Sequence, residues 1–171
     1  MHEYAVTVIG KDRPGIIADV SSVLAGLGLN LTDSTMTRLR GHFAMTLVCA
    51  GQVPSPEVES ALAPLSAGGL VVSVSEVATE GPAAPTGGHY VLRLHGADRL
   101  GIVAAVTRLL ADVGGNITDL TTRLADGLYL LVAEVDLPTT VDIDELTARV
   151  RRLATDLGVE ASLSPAETDV L

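Results

Sequence analysis

Apolar positions recur along the chain first at every second residue and then at every third or fourth, and this succession occurs twice. Tyr4-Ala5-Val6-Thr7-Val8-Ile9 is short and β-rich and predicts a strand. Ile16, Ile17, Val20, Val23, Leu24 and Leu27 then form the stripe of an amphipathic helix, with Gly28 placed to close it in a left-handed conformation. Runs at 30–39 and 42–50 read as two strands joined at Gly41. Val58, Leu62 and Leu65 give a weaker helical stripe, which Pro64 should shorten or kink, and Leu70 to Val77 reads as a last strand. The second succession starts with Tyr90 to Leu94 and continues with a helix through Ile102, Val106 and Leu110, closed by Gly114. Strands at 116–125 and 128–136 follow, turning at Asp126-Gly127. A helix then opens on an Asp142–Glu145 capping pair, ahead of a strand from Val159 to Ser164.

The two successions are copies. An offset of 86 residues pairs Asp12-Arg13 with Asp98-Arg99, Gly15-Ile16 with Gly101-Ile102, Asn30 with Asn116 and Thr32-Asp33 with Thr118-Asp119. In all it gives 16 identities over 38 ungapped positions. This predicts one domain over 1–79, a Pro/Gly-rich linker over 80–88 and a second domain over 89–171. Each has the order β-α-β-β-α-β. The expected fold is α+β: two tandem ferredoxin-like domains, each an antiparallel four-stranded sheet with both helices on one face.

Charge narrows the functional classes. With 11 Lys+Arg against 21 Asp+Glu the net charge is −10, and residues 3–79 and 89–165 are each acidic, so neither copy is a basic module for a phosphate backbone. Direct nucleic-acid binding is not expected. Cys49 is the only cysteine, and it lies in an apolar run that predicts a buried thiol without a disulfide. No basic leader or 20-residue apolar span is present, so no membrane contact is expected and the expected compartment is the cytoplasm. His2, His42, His89 and His95 lack metal-ligand spacing, so neither a metal nor a cofactor is expected.

Candidate chemistry gathers in two segments of each copy. Gly10-Lys11-Asp12-Arg13-Pro14-Gly15, echoed as Gly96-Ala97-Asp98-Arg99-Leu100-Gly101, joins the first strand to the first helix. Asp12 or Asp98 can cap the helix, Pro14 suits its first turn, and the free N–H groups there attract a carboxylate. An ordinary capped loop, braced by the Asp-Arg pair, fits the same residues. Asn30 and Asn116 bring amide groups to the entrance of the second strand, where they can bind a ligand or satisfy a turn.

Strand, Asp-Arg-Pro-Gly-Ile, aliphatic helix and Gly-x-Asn-(Leu/Ile)-Thr-Asp together resemble the ACT domain, a regulatory module associated with amino-acid sensing. Two copies in one chain resemble the glycine cleavage system transcriptional repressor group of ACT-repeat proteins. That resemblance implies a non-enzymatic regulator that binds a small amino acid, glycine or serine by analogy, where the first loop of one ACT domain meets the second strand of another. By position it nominates Asp12, Arg13, Gly15, Asn30, Asp98, Gly101 and Asn116. It also implies a regulated partner protein and, with unpaired edge strands, a homodimer. Three alternatives fit parts of the same pattern: a structural interaction module without ligand; an acylphosphatase-like enzyme using Arg13 with Asn30, although the longer signature of that family is absent; and an RNA-stacking sheet using Tyr4, Phe43, Tyr90 and Tyr129.

Overall fold

In the computed structural model, which describes residues 1–78 and 87–166, the side-chain alternation of the strands divides each sheet into a covered and an open face. Domain one runs β1 (His2–Lys11), α1 (Ile16–Gly26), β2 (Asn30–Leu39), β3 (His42–Gly51), α2 (Ser55–Ala67) and β4 (Leu70–Val77). Domain two repeats it as β5 (Gly87–Ala97), α3 (Ile102–Asp112), β6 (Asn116–Ala125), β7 (Leu128–Pro138), α4 (Ile143–Leu157) and β8 (Val159–Pro165). The sheet orders are β2-β3-β1-β4 and β6-β7-β5-β8, with every neighbouring pair antiparallel. This is the expected ferredoxin-like arrangement in both copies.

Tyr4, Val6 and Val8 alternate inward on β1 against Phe43, Leu47 and Cys49 of β3, and Ile16, Val20 and Leu24 of α1 close over them. Domain two repeats this with Leu92 and Leu94, Leu131 and Val135, and Ile102, Val106 and Leu110. Each such leucine withdrawn from water contributes roughly 1.5–3 kcal/mol. Tyr4 is fully buried and donates its hydroxyl to the Val53 carbonyl at 2.6 Å. Its hydroxyl pKa is raised, chiefly by burial and further by the Glu76 carboxylate.

The two cores fill one position by opposite means. In domain one Leu29, just before β2, is buried, and a β-carbon on Gly51 of β3 would lie 2.5 Å from its Cδ2. Eighty-six residues on, the sizes are exchanged. Leu137 of β7 is buried, and a β-carbon on Gly115 would lie 3.0 Å from its Cδ2. One leucine occupies the space in each domain, reached from the lead-in to β2 in the first and from β7 in the second.

Several expectations need correction. Gly87 and Gly88, assigned to the linker, pair with Pro138 and Leu137 as the first residues of β5; the rest of that segment, 80–86, lies outside the described residues. Pro64 lies inside α2, which continues to Ala67. Neither Asp12 nor Asp98 caps its helix: Gly15 and Gly101 are the N-caps, and no side chain bonds there. The Asp142 cap of α4 does form, accepting from the Glu145 N–H at 3.0 Å. Among the described residues no helix is long and apolar enough to cross a membrane.

Candidate functional site

Gly15 sets the first loop. Its φ of +91° is a left-handed conformation open to glycine at little cost, and it turns the chain from β1 into α1. The Asp19 N–H donates to the Gly15 carbonyl at 2.8 Å to start the helix. With no side-chain cap, the remaining first-turn N–H groups of α1 lie open to an acceptor from outside the loop.

Around that turn the loop is tied at several points. Asp12 donates its N–H to the Gly41 carbonyl of the β2–β3 hairpin at 3.0 Å, and its carboxylate accepts from Arg38 at 3.5 Å. Arg13 reaches forward to the Asp19 carboxylate at 2.9 Å and the Pro14 carbonyl at 3.2 Å. Such exposed pairs add only about 0–1 kcal/mol each, so their effect is on loop shape more than on stability. Pro14 precedes the N-cap instead of occupying the first turn, and its ring stiffens the approach.

Domain two keeps the turn and loses the ties. Gly101 has a φ of +89°, but the places of Asp19, Arg38 and Pro14 are taken by Ala105, Leu124 and Leu100. Leu100 is fully exposed. Arg99 lies instead over Gly158, the left-handed residue that closes α4, where a β-carbon would be 3.2 Å from its guanidinium. A cation at the carbonyl end of a helix is favourable. In domain one the corresponding Gly69 has no atom within that reach.

Asn30 and Asn116 lie at the other end of each domain. They open β2 and β6 beside bulges at Leu31/Asp33 and Ile117/Asp119. Between Gly15 and Asn30 runs the whole of α1, about 16 Å of helix. The structure therefore brings Asp12, Arg13 and Gly15 together, and likewise Asp98 and Gly101, but it does not bring either asparagine to the loop of its own domain. The same separation parts Arg13 from Asn30, the pair the acylphosphatase-like reading needs. Two hollows, about 390 Å³ between α2 and β4 and about 250 Å³ at the start of α4, are lined by none of these residues.

The other candidates resolve by orientation. Tyr4 and Phe43 are buried, and Tyr90 and Tyr129 pack against the core of domain two, so the RNA-stacking arrangement is not formed. Cys49 is buried, which raises its thiol pKa. Among the described residues no group of three or more side chains could hold a metal ion. Sequence reasoning missed Asp19 and Arg38, whose spacing from the loop gives no sign that they tie it. It also missed a cluster on the open face of domain two: His89 meets Asp136 at 2.7 Å and Glu134 at 3.5 Å. The Asp136 hydrogen bond chiefly, with Glu134 adding to it, outweighs partial burial and raises the His89 pKa.

Comparison with known proteins agrees with the geometry. The ACT domain family is matched at residues 3–68 and 89–164. A UPF0237 protein of Streptococcus mutans is 51% identical over 47 residues, 28% of this chain and 53% of that protein. One from Methanopyrus kandleri is 52% identical over 48 residues, with the same shares. The chain thus spans about half the length of the curated relatives it matches. Among solved structures, an unknown protein from Galdieria sulphuraria is 30% identical with a TM-score of 0.79, covering 96% of this chain and 98% of that one. A candidate glycine cleavage system transcriptional repressor is 20% identical with a TM-score of 0.73, covering 95% and 96%. At that identity the likeness speaks for the fold alone.

Proposed function

Because this chain belongs to the ACT domain family, we propose that it is a non-enzymatic regulator that binds a small amino acid and passes that state to a partner protein, any effect on transcription being exerted through that partner. Glycine or serine is the ligand by analogy with the repressor group it resembles. The observation that carries this reading is the uncapped start of α1 and of α3, each opened by a left-handed glycine. First-turn N–H groups there offer a seat for an α-carboxylate.

The residues nominated for binding divide between opposite ends of each domain, so a ligand touching loop and asparagine together needs two ACT domains, one presenting each end. The second domain comes from the same chain or from another copy of it, and the assembly expected is a homodimer. The ligand then acts through its differential affinity for two arrangements of that assembly.

A thermal-shift screen of the protein against the twenty amino acids, repeated with Asn30→Ala and Asn116→Ala, tests the reading. A ligand at about 100 times its Kd stabilises by about 2.7 kcal/mol, a shift of several degrees. One or two amino acids should give that shift, and one of the variants should abolish it. No shift with any of them overturns amino-acid sensing and leaves a protein-interaction module.

A further inference from the structure

We propose that the cleft between α2 and β4 of domain one takes an extended segment of a partner protein, added as a strand to the free edge of β4. An aliphatic side chain of that segment enters the cleft, and a lysine or arginine stands two residues along. The inference rests on the regulatory reading above for the existence of a partner, and names the kind of segment by which it is held.

β4 is an edge strand, paired with β1 along one side. Its eight residues, Leu70 to Val77, include neither lysine nor proline, the residues that commonly block edge pairing. Between this edge and α2 lies the hollow of about 390 Å³, within the span of about 300–1,000 Å³ common to ligand sites. Leu62, Val72 and Val74 give it apolar walls, and the exposed Ala63 and Ser66 are too small to close it. An edge strand beside a groove suits an extended peptide: the added backbone supplies affinity, and alternate side chains enter the groove.

Charge selects the occupant. Together α2 and β4 carry Glu57, Glu59 and Glu76 and no lysine, arginine or histidine. Glu59 lines the hollow, where the Ser55 hydroxyl donates to its Oε1 at 3.1 Å. Among the described residues no cation pairs with it. From the Gly68-Gly69 turn α2 and β4 run in opposite directions. Glu59 lies about 12 Å of helix before Ala67, and Val74 about 13 Å of strand after Leu70, so the two stand level. An aliphatic side chain opposite Val72 fills the hollow. The next residue on that face, two along, lies opposite Val74 and meets the Glu59 carboxylate.

Domain two lacks both parts. By their pairing with β5, Ala161 and Leu163 of β8 stand where Val72 and Val74 stand, and Pro165 takes the place of Glu76. On α4 the buried Leu146 and Val150 answer to Val58 and Leu62. That sets Thr147 in place of Glu59 and the long Arg151 in place of Ala63.

An array of immobilised seven-residue peptides, probed with the fluorescently labelled full chain, tests this. Threonine fills each peptide except at the third position, which carries each of the twenty amino acids, and the fifth, which carries lysine, serine or glutamate. Peptides with leucine, isoleucine or valine followed by lysine should be retained about tenfold or more over their glutamate counterparts. Ala63→Arg, which copies domain two, should abolish retention, and Glu59→Lys should move the preference from lysine to glutamate. N-methylation of the peptide backbone should also abolish it, since an added strand needs its N–H groups. Both substituted side chains are exposed, and circular dichroism verifies that each variant is folded. No retention, retention indifferent to charge, or retention unchanged by Ala63→Arg each overturns the proposal. So does a dimer in sedimentation that Ala63→Arg dissociates without any peptide being retained, which gives the cleft to a second copy. An amino-acid thermal shift without peptide retention removes the cleft and leaves the sensing function standing. Retention without any amino-acid response does the reverse.

Discussion

Domain one spends its polar residues around the first loop, whereas domain two spends them elsewhere. In the first, Asp12, Arg13, Arg38 and Asp19 tie the β1–α1 loop to the hairpin and the helix. In the second, Arg99 turns to the end of α4 and Leu100 stands exposed where Pro14 was. Both keep the left-handed glycine and the uncapped helix start. The turn is thus common to the two copies, while the ties that hold the loop have diverged: one copy holds a braced loop, the other an unbraced one.

The cores teach a different lesson. Leu29 with Gly51 and Gly115 with Leu137 are reciprocal solutions to one volume, and this gives the sharpest way to break the comparison. Leu29→Ala or Leu137→Ala, each leaving a void, should cost about 2–5 kcal/mol in urea denaturation. Gly51→Leu alone crowds Leu29 and should cost about 1–3 kcal/mol. The double variant Leu29→Gly/Gly51→Leu rebuilds the domain-two solution in domain one and should lie well above the sum of its single changes. A strictly additive double variant would show that the two sites do not share the space.

Smaller effects sharpen the contrast at the helix starts. Asp142→Ala removes the side-chain cap of α4 and should cost about 1 kcal/mol. Ser55→Ala, at the start of α2, should cost less, because Pro54 is the N-cap there and makes no side-chain bond. Equal losses in chemical denaturation would make the two second helices alike after all.

The smallest expected effect is electrostatic and confined to domain two. A His89 pKa raised in the folded state means that the Asp136 and Glu134 contacts stabilise the protonated form. Their contribution is complete below the unfolded value and is lost as pH rises through the folded one. Stability should therefore fall modestly as pH rises above the ordinary imidazole value of 6.5, and His89→Gln should flatten that slope in denaturation midpoints. An unchanged slope would detach the cluster from stability.

What could be read from the chain alone follows from how local each signal is. Strand alternation and the helix stripes act over a few residues, so β2 at 30–39 and β6 at 116–125 appear where the pattern placed them. The repeat reinforced each assignment by giving it twice. Asp12 has the spacing of a cap, but its actual partners, Gly41 and Arg38, are distant in sequence. The leucine exchange was hidden for the same reason: Leu29 and Gly51 read singly as an apolar residue and a strand end, and only β2–β3 pairing brings them together. The separation of Asn30 from Gly15 was implicit in the eleven residues of α1, since a helix of that length cannot return to its own start.

The leucine exchange also bears on how a duplicated chain keeps its halves apart. Tandem copies this alike risk trading equivalent strands during folding, so that each sheet is completed by a segment of the other. If the β2–β3 and β6–β7 hairpins were traded whole, one hybrid core would hold both Leu29 and Leu137 in a space that fits one. The other, with Gly51 and Gly115, would hold neither. Crowding penalises the first hybrid and a void penalises the second, so correct sorting is favoured over both.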